Sequence, residues 1–90
     1  MKNIILDGNK MTSIKQTHKY IKEQFNFPSY YGENLDALWD LLSTISSQTD
    51  IELNNLNILN ENLNEYAENL LDIFYEVSEE NNKLSFKIIN

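Results

Sequence analysis

Three carboxylates stand out by type and spacing: Asp36 and Asp40, four residues apart, and the more distant Glu76. Paired carboxylates can run acid–base hydrolysis if their surroundings keep one protonated and the other ionised. The rest of a catalytic inventory is thin. The chain has no cysteine, which removes thiol nucleophiles, disulfides and thiolate zinc sites. Its one histidine, His18, shares a helical stretch with Ile14 and Ile21 and reads as structural. Glycine-rich phosphate loops, calcium-loop patterns and zinc spacings are absent. No metal or cofactor is expected, and the residues point away from catalysis.

The same acids suit binding better. The net charge is −7, and it is unevenly spread: thirteen of the fourteen acids lie from Glu23 to Glu80, and no basic residue occurs between Lys22 and Lys83. Such a block repels nucleic acid and anionic membrane, and attracts basic proteins. Plain solvation of an acidic surface produces a similar composition. With 90 residues, 41% of them hydrophobic, the chain suits one domain spanning 1–90. Ile4-Ile5-Leu6 is too short for a signal-peptide core, so the expected compartment is the cytoplasm.

Several elements must position these groups. Lys2 to Leu6 reads as a strand closed by Asp7-Gly8. Ser13 with Gln16 three residues on opens a helix, whose recurring residues are Ile14, Thr17 or His18, Ile21 and Phe25; Pro28 lies just beyond its end. Ser29-Tyr30-Tyr31-Gly32 reads as a turn. Asn34 is the expected N-cap of a second helix running to Ser43 or Ile45. Asp50 to Leu53 alternates like a short strand, and Asn54 to Leu63 spaces its leucines for a third helix. Glu65 to Glu80 carries a helical inner stripe of Ala67, Leu70, Leu71, Phe74 and Val77. Leu84 to Ile89 is the last strand. Helical crossovers between successive strands imply an α/β fold, a small three-stranded, largely parallel sheet covered by about four helices.

On the second helix, steps of 100° bring Leu35, Leu38, Leu41, Leu42 and Ile45 to the core side. Asp36, Asp40 and Ser43 share another side, with Trp39 at the border. The like-charged pair Asp36 and Asp40 costs an isolated helix about 0.2–0.5 kcal/mol, only partly offset at Asp36 by the N-terminal dipole. On the fourth helix, Glu65, Glu68, Asp72, Glu76 and Glu79 form another unpaired acidic face. Two such stripes, one beside a border Trp and a Tyr-Tyr-Gly turn, suit a cation-seeking recognition surface.

The segment Pro28-Ser29-Tyr30-Tyr31-Gly32-Glu33-Asn34-Leu35-Asp36-Ala37-Leu38-Trp39-Asp40-Leu41-Leu42 resembles the hallmark segment of the barstar family. Members of that family are intracellular protein inhibitors of small secreted ribonucleases of the barnase type. Weaker likeness extends to the first strand with Asp7-Gly8, to Ser13, Ile14 and His18, and to Leu71–Glu76; the stretch from Ile45 to Leu63 matches poorly. The resemblance implies a monomeric inhibitor that forms a 1:1 complex with a basic ribonuclease. By position it implies contacts from Tyr30, Asn34, Leu35, Asp36, Asp40, Ser43 and Glu76, with Trp39 supporting the face. Asp40 would enter the nuclease active site in place of the substrate phosphate. Better-known members carry Gly then Trp after the second helix, where this chain has Thr44 then Ile45. An immunity protein for another basic toxin, or a general acidic interaction module, stays open as an alternative.

Overall fold

The computed structural model describes residues 1–89. Along the chain run β1 (Lys2–Asp7), a short 3-10 turn (Gly8–Lys10), α1 (Ile14–Phe25), α2 (Leu35–Ser43), β2 (Thr49–Asn54), α3 (Leu56–Leu63), α4 (Glu65–Glu80) and β3 (Leu84–Ile89). The strands pair in the order β1-β2-β3, and both pairs are parallel. The α/β expectation of a three-stranded sheet with four helices is met.

Local chemistry accounts for the helix ends. Ser13 is extended, and its hydroxyl accepts from the Gln16 N–H at 3.1 Å. Asn26 ends α1 in the left-handed conformation, which asparagine tolerates better than most residues. Asn34 caps α2, accepting from the Ala37 N–H at 2.8 Å. The third helix begins at Leu56, not at Asn54: Asn54 stays in β2, and Asn55, left-handed at φ 58°, makes the break. Gly8 is required for space, since a Cβ there would strike the Asn55 carbonyl.

The sheet is covered on one face only. Its inward rows are Ile4 beside Ile51 and Leu6 beside Leu53, both buried, with Leu84 buried at the start of β3. Against them pack Leu38 and Leu42 of α2, Leu59 and Leu63 of α3, and Ala67, Leu70, Phe74 and Val77 of α4. The outward rows run Asn3, Asp50, Ser85 and Ile5, Glu52, Lys87. Ser85 donates to Asp50 at 2.6 Å, and Lys87 pairs with Glu52 at 4.0 Å. Parallel sheets usually bury both faces; here polar outward residues permit one face to meet water.

One assignment from periodicity needs correction. Ile14, placed among the recurring residues of α1, is exposed, while Thr17 and His18 are both buried. On α2 only Leu38 and Leu42 are buried; Leu35, Leu41 and Ile45 are half-buried at the margin of the core. The helix packs chiefly on α4, so the flanks of its apolar stripe stay at the edge of the core. Among the described residues no helix is long and apolar enough to cross a membrane.

Candidate interaction face

The loop between α1 and α2 alternates abruptly between inside and outside. Tyr31 is buried, whereas the adjacent Tyr30 is 79% exposed. A turn closed by Tyr31 N–H donating to the Pro28 carbonyl at 3.0 Å sets the two rings apart. Phe27 stands 5.0 Å from both Phe25 and Tyr31, so an aromatic stack backs the loop.

The inner tyrosine ends on a buried polar chain. The Tyr31 hydroxyl lies 2.7 Å from Nδ1 of His18, and the Tyr66 hydroxyl of α4 lies 2.6 Å from Nε2. Both ring nitrogens of the histidine are thus occupied by phenols, and a neutral imidazole serves one as donor and the other as acceptor. Burial holds His18 below its ordinary range, against a smaller opposing pull from Glu33. Burial likewise raises Tyr31 and Tyr66. His18 is a strut joining α1, the loop and α4, as its place beside Ile21 suggested. Neither pairing is visible in the sequence, and Tyr66 lies 48 residues away.

Past the turn, Glu33 takes the left-handed conformation at φ 54°. A glutamate there carries strain of about 1–2 kcal/mol relative to a relaxed backbone. The strain brings Asn34 into its capping pose, where its amide group also donates to the Gly32 carbonyl at 3.3 Å. Leu35, Asp36, Trp39 and Asp40 follow. Asp36 and Asp40 are exposed, Leu35 and Trp39 are half-buried, and Trp39 packs on the core margin where the border position put it. The Ser43 hydroxyl donates to the Trp39 carbonyl at 2.7 Å. Two candidate contacts, Asn34 and Ser43, therefore already use their side chains inside α2.

Tyr30 separates two hollows. One, of about 290 Å³, is lined by Tyr30, Tyr31, Gly32, Ala37, Asp40 and Leu41. The other, of about 310 Å³, lies between the loop, the end of α2 and the start of β1, lined by Phe25, Phe27, Leu41 and Ile45 with Lys2, Thr44, Ser46 and Ser47. The wall is fixed from the far end of the chain. The Asn81 amide donates to the carbonyls of Leu42 at 3.1 Å and Ile45 at 3.0 Å, so the α2 C-terminus hangs on the end of α4. Nothing in the sequence marks Asn81 for this contact.

Glu76 sits exposed on α4, the helix on which α2 packs. Glu65, Glu68, Asp72 and Glu79 are exposed with it. Among the described residues the one ion pair joins Lys87 to Glu52, so neither acidic helix has a basic partner. Nor does either helix carry a basic residue in its last turn. Asp36, Asp40 and Glu76 lie in the same kind of exposed setting, whereas acid–base catalysis needs contrasting ones. Among the described residues no three histidine, aspartate or glutamate side chains converge on a possible metal position. The arrangement is an exposed acidic surface on α2 and α4 with the exposed Tyr30 ring in the loop before α2.

Comparison with known proteins finds both a family and individual relatives. The family described as "Barstar (barnase inhibitor)" matches residues 1–89. A protein of Bacillus subtilis (strain 168), provisionally named ribonuclease inhibitor YrdF, is 40% identical over 90 residues, covering 99% of this chain and 98% of that one.

Proposed function

The chain belongs to the barstar family, and from that premise we propose that it inhibits a small basic ribonuclease of the barnase type by covering the active site with its acidic helix face. The complex is 1:1, forms inside the producing cell, and protects that cell from its own nuclease. The protein performs no chemistry; it blocks a site.

One observation carries the reading. Asp40 stands exposed, in no ion pair, at the edge of the hollow beside the protruding Tyr30. A nuclease active site is built to hold phosphate among cations, and a carboxylate presented on a rigid helix can take that phosphate's place. Asp36 and Glu76 add charge around it, and Tyr30 supplies an aromatic anchor with few rotatable bonds. Leu35, Trp39 and the backbone at Asn34 and Ser43 complete the contact area. The fixed loop and the Asn81 clamp lower the ordering cost of association.

The test is a titration of barnase with the purified protein, following cleavage of a fluorogenic oligonucleotide. Loss of activity that ends at one equivalent supports the reading. Undiminished cleavage by barnase and by the basic ribonucleases of the source organism would refute it.

A further inference from the structure

The order β1-β2-β3 leaves the sheet with two free edges. A free edge presents unpaired amide and carbonyl groups and is a template for another chain. In a parallel ladder one residue of the neighbouring strand serves two groups at once. Its carbonyl accepts from the N–H of one residue, and its N–H donates to the carbonyl two residues earlier.

On the outer side of β1 those two groups belong to Asp7 and Ile5, and a single hydroxyl serves both. The Tyr20 hydroxyl accepts from the Asp7 N–H at 3.0 Å and donates to the Ile5 carbonyl at 3.4 Å. The ring reaches them from α1, which packs along β1. We propose that the Tyr20 hydroxyl occupies the place of an absent fourth strand and thereby closes β1 to strand addition by a second copy of the chain.

The danger it guards against follows from the topology. All three strands run the same way, so the β1 edge of one copy matches the β3 edge of the next in a parallel ladder. That contact is heterologous and does not close on itself, so it would extend into an open chain of molecules. Ile5 and Ile89, both exposed, would add apolar contact along such a ladder. The net charge of −7 opposes it at low salt, but screening weakens this defence as ionic strength rises. The hydroxyl does not depend on salt.

Tyr20→Phe keeps the ring and removes the hydroxyl. Tyr75→Phe, at an exposed tyrosine of α4, is the control. In dilute solution the Asp7 amide is expected to exchange with deuterium about tenfold faster in Tyr20→Phe than in wild type, with core amides such as Leu53 unchanged. In concentrated solution at high salt, sedimentation velocity is expected to show growing assemblies of Tyr20→Phe, while wild type and Tyr75→Phe stay monomeric. Tyr20→Leu, which also lacks the hydroxyl, is expected to associate likewise and keeps the test open if one variant is too unstable to study. Unchanged Asp7 exchange in the folded Phe variant would overturn the proposal. So would faster exchange without assembly in whichever variant folds, because the hydroxyl would then be a local stabiliser only.

Discussion

The Tyr31 hydroxyl lies 2.7 Å from Nδ1 of the fully buried His18, one residue along from the most exposed tyrosine of the chain. The loop that carries Tyr30 outward is therefore anchored inward at its next residue. Tyr31→Phe removes that anchor and leaves a buried imidazole nitrogen unpaired, at an expected cost of about 1–3 kcal/mol of stability. It should also weaken nuclease inhibition, because Tyr30 loses its fixed base. Tyr66→Phe breaks the other histidine bond from α4 and should cost similar stability with little effect on inhibition. Urea melts beside inhibition assays on both variants check the contrast.

The same strut sets a pH dependence. Burial lowers His18 from its ordinary 6.5 in the folded state, while the unfolded chain keeps the ordinary value. Above that value both states hold a neutral imidazole. As pH falls through it, the unfolded state takes up a proton first, so stability is lost progressively toward the lower folded value. Wild type should therefore lose its stability advantage over His18→Gln, which does not titrate, as pH falls from 7 to 5. Comparing the two also cancels the easing of acid–acid repulsion over that range. A constant difference would show that His18 takes up protons equally in both states.

Asp36 and Asp40 face one another's charge one turn apart on α2, with no basic residue to relieve them. Asp40→Asn keeps the shape and removes the repulsion. The free domain should gain about 0.2–0.5 kcal/mol and become a poorer inhibitor. A face that were only solvated would gain the stability and keep the inhibition. Denaturant melts and inhibition constants, measured on the same preparations, separate the two.

The unpaired acids of α2 and α4 should steer a basic partner before contact. At physiological ionic strength the screening length is about 8 Å, so much of that pull disappears as salt is added. Stopped-flow association rates should fall steeply with rising salt while dissociation changes little. A flat association rate would contradict steering.

The parallel pairing followed from strands separated by helices, whereas the order β1-β2-β3 left no mark in the sequence; β3 and α4 were legible to the residue from their apolar spacing. Asn34 was legible as a cap because its type and place fit the pose it adopts. The one-sided sheet was less visible, since three short strands leave little room for alternation to declare itself. The least visible features join residues far apart in sequence. Tyr66 meeting His18, and Asn81 holding Leu42 and Ile45, depend on how α4 lies on the rest of the fold, which no local pattern records. Of the candidate face, the acids and Tyr30 could be found from spacing and motif; the hollow lined by Phe25 and Phe27 could not, because three separate stretches of chain close around it.

The central claim is that Asp40 fills the place of a phosphate in a nuclease active site. Its most direct measurement is the inhibition constant of Asp40→Ala against a barnase-type ribonuclease that the wild-type protein inhibits. The account predicts a loss of about 2–5 kcal/mol, roughly thirtyfold or more in Kd, expressed mainly as faster dissociation. An Asp40→Ala protein that inhibits as tightly as wild type would contradict it.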